Sequence, residues 1–417
     1  MFKKSLAAVA VLGAFAGSAF AAEVTMYGVI DTGLMYTYED VADGNATTDL
    51  EQHTLGLEGG INSSNRFGVK GTEELGNGMK VGFKLENGFK SDTGALKTED
   101  TLFDREASVS LYGDFGTLSM GRMGGVGSGA GTYDLVLATA DAFDGGDNNV
   151  FGFATSDRYD NMVTYQTPKF AGLQATVQYS FNESSTNTNR EGSSAVNRYA
   201  STALTGNFGA LNTVLAYEFQ NYKSFGAAEH EDGQIVYLGG NYDCGFAKTF
   251  VMGQYFKGIQ GSGANALASM VKGAGAELTS FDTDFDKGVA KVFVMGQYFK
   301  GLAENPFAAD AFEGHPVDGE GVKGFGAHLG TIVPISNGDL TVGAYYVDGT
   351  AETSKTGVEE RDFDYMGLAT KYEYRLSKRT SVYLAAGYYK ATLDATTKAG
   401  EVEEKVGEVF TGLTHAF

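Results

Sequence analysis

The chain has one cysteine, four prolines and no tryptophan in 417 residues, and 31 Lys+Arg against 52 Asp+Glu. A lone cysteine excludes a disulfide scaffold, and without clustered Cys and His a structural zinc site has nothing to hold it. The net charge of −21 leaves no basic face for a nucleic-acid partner. Catalytic signatures are missing as well. No G-x-S-x-G occurs, and His53, His230, His315, His328 and His415 are scattered without ligand spacing. No nucleophile–base pair is found, so neither an enzyme nor a cofactor nor a metal is expected. Past the N-terminus no run approaches the roughly 18 apolar residues of a transmembrane helix. Disorder is also excluded, because 42% hydrophobic and 12% aromatic residues are enough to bury a core.

Two motifs come close to a site and fall short. Asp282-Thr283-Asp284-Phe285-Asp286-Lys287-Gly288 starts like a calcium loop, but its glycine is one place late and Phe293 holds the twelfth position. The glycine-rich run from Gly124 to Gly131 has the freedom of a phosphate cradle, yet no G-K-[ST] follows it. Cys244 lies in a short turn without a partner and is read as structural.

What is present begins with an export signal. Met1-Phe2-Lys3-Lys4, the apolar stretch Leu6 to Ala16 and Ala19-Phe20-Ala21 read as a signal peptide over residues 1–21. Losing Lys3 and Lys4 takes the charge from −21 to −23, so the exported residues 22–417 are more acidic still. Their dominant period is two. Met79, Val81, Phe83 and Leu85 alternate with Lys80, Gly82, Lys84 and Glu86. The same holds for Leu173, Ala175, Val177 and Tyr179 against Gln174, Thr176, Gln178 and Ser180, and for Leu340, Val342, Ala344 and Tyr346 against their neighbours. Each is a strand between two solvents. Connections alternate in length, with short turns near residues 75–78, 114–116, 168–172, 207–210, 336–338 and 377–379, and long polar loops near 91–100, 183–197, 348–362 and 394–404. In a bilayer only helices and closed barrels satisfy every backbone group, so this asymmetry predicts an all-β, antiparallel transmembrane barrel. An even strand count would put both termini on the short-turn side, in the periplasm.

The motifs Tyr27-Gly28-Val29-Ile30-Asp31, Arg66 to Gly76 (RFGVKGTEELG), Phe115 to Arg122 (FGTLSMGR) and the terminal Gly412-Leu413-Thr414-His415-Ala416-Phe417 resemble the general diffusion porins of Gram-negative bacteria, of the beta-proteobacterial type. The resemblance runs over nearly the whole exported chain. It implies a 16-stranded homotrimeric barrel in the outer membrane, passing small hydrophilic solutes and ions, with a third external loop folded inward against arginines on the wall. It also implies that Phe417 is the assembly signal read by the barrel-assembly machinery. The 16 strands leave about 25 residues each, including the connection.

One feature disturbs that count. The segment Tyr242 to Gly258 is nearly repeated 43 residues later as Phe285 to Gly301. Either the second copy lies in an enlarged external loop at 259–321, which keeps 16 strands, or a partner strand near residues 268–281 makes 18. The poor alternation of 268–281 favours 16.

Charge inside the barrel is what remains for function. Arg66 shares parity with Lys70, opposite the apolar Phe67 and Val69, so both point inward. By resemblance Arg66 and Arg122 match wall arginines of the constriction, with Arg105 and Arg158 as further members. Parity groups Arg105 with Ala107, Val109 and Leu111, so it needs a bulge or a place beyond the lipid band. Residues 124–157 lie where the inward loop belongs and carry Asp134, Asp141, Asp144 and Asp147. Opposed basic and acidic rims would sort solutes by charge without covalent chemistry. An adhesin or structural surface protein on the same kind of barrel is the alternative, and it would give no large conductance steps.

Overall fold

The computed structural model describes residues 23–42, 50–129, 131–140, 157–181, 197–221, 232–243, 247–257, 290–301, 321–352, 360–394 and 402–417. The expected signal peptide, Cys244, Asp141, Asp144, Asp147 and the stretch 268–281 lie outside the described residues.

β1 (Glu23–Ala42) pairs through its second half with β2 (Leu50–Gly59) and through its first half with β3 (Arg66–Gly76). β2 and β3 therefore share one position in the sheet. The break between them, residues 60–65, folds onto the inner wall, where Asn62 donates to Thr414 Oγ1 at 3.0 Å and accepts from Lys371 Nζ at 2.8 Å. The chain continues through β4 (Met79–Gly88), β5 (Glu106–Gly113), β6 (Gly116–Gly124), β7 (Arg158–Gln166), β8 (Leu173–Ser180), β9 (Arg198–Phe208), β10 (Leu211–Asn221), β11 (Gly233–Asp243) and β12 (Ala247–Lys257). After these come β13 (Ala290–Gly301), β14 (Gly321–Ile335), β15 (Gly338–Glu352), β16 (Glu360–Arg375), β17 (Thr380–Leu393) and β18 (Val402–Ala416), which pairs back onto β1. Among the described residues one short helix, α1 (Leu137–Ala140), sits between β6 and β7.

Every neighbouring pair is antiparallel except β12 and β13, which run parallel and side by side but are laddered at only two residue pairs, Ala247 with Ala290 and Lys248 with Lys291. Because β2 and β3 share a position, the 18 strands fill 17 places. This is the expected antiparallel sheet with one place beyond the expected 16, because the second copy of the repeat enters the sheet as β13, beside the first.

Alternation decides which side of each strand faces out. Leu238 is 64% exposed and its neighbour Tyr237 1%, and Val109, Val177, Leu368 and Leu384 likewise look outward. An apolar exterior next to a polar or covered interior is what hydrocarbon on one side selects. The short turns gather at one rim. There the expected hairpin at Asn77-Gly78 is closed with φ of 51° and 76°, values that only a residue pair tolerant of positive φ can take. Both ends of the described chain lie at that rim, where Phe417 N–H bonds Gly28 O at 3.0 Å and Gly28 N–H returns a bond of 3.0 Å to Phe417 O. Strand lengths are uneven around the ring, from eight residues in β5 and β8 to 16 in β16 and 20 in β1.

Candidate functional site

Past Gly124 the chain leaves the wall and crosses its inner face. The wall opposite is apolar, with Ala203, Val214, Ala216, Ile235, Tyr237 and Met252 turned inward, and Val126, Val136 and Ala140 of the loop pack onto it. Covering Val126 and Val136 is worth roughly 1.5–3 kcal/mol each, which favours docking inside over extending outward. Gly239 fits the contact because a Cβ there would stand 2.5 Å from Ala140 Cβ.

Hydrogen bonds then fix the loop in register. Glu218, 0% exposed on β10, accepts from Gly127 N–H at 2.9 Å and Tyr199 OH at 2.7 Å with Oε1, and from Tyr237 OH at 3.1 Å with Oε2. Glu106, 2% exposed on β5, accepts from Thr132 Oγ1 at 2.7 Å and Thr132 N–H at 3.2 Å. Between these carboxylates Tyr133 shares a 2.6 Å bond with Ser119, and further along Asn241 donates to Thr139 O at 2.7 Å. Burial pushes the Tyr133 phenol up, so it stays protonated. Two buried acids thus hold the loop by its own backbone N–H groups.

The basic residues stand at the same height. Arg66 opens β3, Arg105 immediately precedes β5, Arg122 lies near the end of β6 and Arg158 opens β7, so all four sit at the long-loop ends of neighbouring strands. Arg105 stands just outside β5, with Nε 2.7 Å from Glu86 Oε1. Arg158 lies within electrostatic range of Arg105, Asp104, Asp157 and Glu86. Arg66 donates to Ser64 O at 2.9 Å. Arg122 shares parity with Leu118 and Met120 instead of Ser119, and its guanidinium bonds Asp160 Oδ1 at 2.7 Å and Asp104 O at 2.8 Å. Asp134 is half-buried in the loop beside Tyr133.

Below this row a cavity of about 550 Å³ opens, lined among others by Tyr27, Lys70, Lys84, Glu106, Ser108, Ser110, Tyr112 and Thr132. Lys70 does face inward as its parity requires, with Nζ 5.2 Å from the centre of the Tyr27 ring. Lys84 Nζ lies 2.8 Å from Glu106 Oε2 and 3.6 Å from Glu86 Oε2. Arg105, Glu86, Lys84 and Glu106 therefore form an alternating chain of charge that ends at the loop. The acids of that chain escaped the sequence reading, although Glu86 already stood on the polar parity of its strand. Glu218 also went unnoticed; its signal is a carboxylate on the same parity as Val214 and Ala216. Among the described residues no cluster of three metal-ligating side chains occurs.

Comparison with known proteins agrees with this architecture. The family model for Gram-negative porins matches residues 7–394. An outer membrane porin protein of Bordetella pertussis is 34% identical over 265 residues, covering 58% of this chain and 66% of that protein. Outer membrane porin protein 32 of Delftia acidovorans is 34% identical over 251 residues, covering 59% and 67%. The matched part thus spans about two thirds of these relatives. In fold alone, the chain resembles a loop deletion mutant of OmpT, an outer membrane protein of Vibrio cholerae, with a TM-score of 0.53 and 16% identity, covering 95% of this chain and 100% of that one.

Proposed function

Because the chain belongs to the Gram-negative porin family and so forms an outer-membrane channel, we propose that it passes small hydrophilic solutes and ions, sorted by charge where the loop at 124–157 faces the basic wall. Arg66, Arg105, Arg122, Arg158 and Lys70 supply the positive side in this reading, and Asp134, Asp141, Asp144 and Asp147 the negative. The observation that carries it is the clasped loop, which narrows the interior at the level of the arginines and directly above the cavity that Lys70 lines. Arg66 stays cationic at any working pH. Unit charges about 8 Å apart at an effective dielectric of about 20 interact by about 2 kcal/mol before screening, enough to bias permeation several-fold. Arg66, which opens β3 at the level of the loop, and Lys70, which lines the cavity below it, are the pair to test.

Reversal potentials across a tenfold salt gradient provide that test. Replacing Arg66 and Lys70 with serine should move selectivity toward cations, and Asp141→Asn with Asp144→Asn toward anions. Parental potentials in both double variants would refute the assignment. Conductance itself separates a channel from an adhesin, since a filled barrel gives no large steps.

The chain is further proposed to assemble as a homotrimer within outer-membrane lipid, inserted by the barrel-assembly machinery, with residues 1–21 removed on export. Orientation has its own check. Cys244 falls in the sequence between β11 and β12, whose facing ends this reading places in the periplasm. A membrane-impermeant thiol reagent added to intact cells should leave Cys244 unmodified and label it after the outer membrane is breached; labelling in intact cells would invert the topology.

A further inference from the structure

Residues 247–258 and 290–301 are identical at every position but one, Thr249 against Val292. The two copies form β12 and β13, and the way they are paired is incomplete in a complementary manner. β12 is laddered to β11 along one edge, from Lys257 opposite Gln234 to Lys248 opposite Asp243. β13 is laddered to β14 along its other edge, from Lys291 opposite Ile332 to Gly301 opposite Val322. Between them, where each turns its remaining edge to the other, only two parallel residue pairs form. Laid on one another, the copies make a single strand with both edges filled.

A closed antiparallel barrel with both termini at one rim needs an even count, and 17 places with one parallel seam do not provide it. Bare strand edges in hydrocarbon are costly, since no water is there to satisfy them. Removing either copy from the ring leaves 16 places, joins β11 to β14 through one antiparallel stave and abolishes the seam. Because the copies match at every position but one, either can offer the same side chains to β11 and to β14 in the same register. Their one difference falls on an exposed outer position, Thr249 or Val292.

We propose that β12 and β13 compete for one place in the barrel, so that the chain closes in two ways. When residues 247–257 fill the place, the spare copy belongs to the connection leading to β14 at the long-loop rim. When residues 290–301 fill it, the spare copy belongs to the connection leading from β11 at the short-turn rim. One sequence thereby presents the same segment on opposite sides of the membrane in different molecules. Once the ring is closed, exchange would strip a whole stave of its hydrogen bonds inside the bilayer, so each molecule commits during assembly.

Disulfide trapping in a Cys244→Ser background tests this. Val236 pairs with Tyr255, and Tyr298 with Phe325, in the ladders described. The exchange pairs are Val236→Cys with Tyr298→Cys, and Tyr255→Cys with Phe325→Cys, because Tyr298 is the copy of Tyr255. A methyl-for-hydroxyl difference keeps the two closures within about tenfold of each other, so each exchange pair should cross-link in roughly a tenth or more of the folded, heat-modifiable protein. If either exchange pair fails to cross-link while the two ladder pairs do, the place has one owner and the proposal falls. Deletion of residues 258–300, which joins Lys257 to Gly301 and leaves one intact copy, provides a second measurement. It should insert and conduct as the parent does; loss of inserted protein would show that the second copy is a stave in its own right and overturn the shared place.

Discussion

Deletion of Phe417 should lower the amount of heat-modifiable, membrane-inserted protein by about tenfold or more, because the barrel would lose the residue that completes its last ladder inside a bilayer. The C-terminal residue exchanges two backbone hydrogen bonds of 3.0 Å with Gly28, on the strand where the chain began. Its ring lies over that glycine, where a Cβ would meet Phe417 Cζ at 2.3 Å and Arg66 O at 2.7 Å. Two further variants follow from this contact. Gly28→Val should impair insertion as well, since the ring and the backbone beneath cannot both yield, whereas Phe417→Tyr should insert normally because it keeps an aromatic at the interface. Quantitative gel-shift assay of outer-membrane fractions reads all three. Normal insertion of the deletion variant would remove Phe417 from any role in assembly.

Glu218→Ala should give a channel with larger and noisier open-state current, and with an unchanged reversal potential. The substitution leaves Gly127 N–H and the Tyr199 and Tyr237 hydroxyls without their buried acceptor. Orphaning the buried Gly127 N–H costs about 1–3 kcal/mol, which moves the balance between docked and released loop by about five- to 150-fold. Glu218→Gln keeps an acceptor oxygen for Gly127 and should stay near the parental trace. Selectivity does not follow Glu218, because the carboxylate is sealed behind the loop and away from the cavity that Lys70 lines. Planar-bilayer recordings separate these outcomes: a quiet parental trace in Glu218→Ala would mean that apolar packing alone holds the loop.

The wall could be read from sequence and the clasp could not, for a physical reason. Strands such as Leu173–Ser180 and Gly338–Glu352 announce themselves because lipid on one side and a polar or covered interior on the other impose a period of two. Turns such as Asn77-Gly78 follow from backbone angles that few residues accept. The loop anchors carry no such mark. Glu218 reaches a main-chain N–H 91 residues away, and every residue but proline has one to offer. Arg122 shows the limit of parity: it shares the parity of the outward Met120, yet it bonds Asp160 beside the register shift between Gly121 and Met123 in the pairing of β6 with β7. The repeat defeats sequence reasoning in another way, because two equal patterns cannot say which of them a single opening will accept.

The uneven strand lengths bear on the membrane itself. On one side β4 to β8 have eight to 10 residues, and on the other β14 to β18 have 14 to 16. At a rise of about 3.3 Å per residue and a tilt of about 45°, these lengths stand roughly 21 Å and 35 Å along the normal. A hydrocarbon layer of about 30 Å, somewhat less in the outer membrane, overtops the first and is overtopped by the second. On the high side the outward positions turn acidic at Asp348, Asp362 and Asp364, so those strands rise out of the hydrocarbon. Only lipid around the low side must compress, at a fraction of a kcal/mol per Å of misfit. The protein therefore carries a dimple in the surrounding leaflet on one flank only, and that dimple gives an otherwise round object a preferred bearing toward its neighbours in the plane of the membrane.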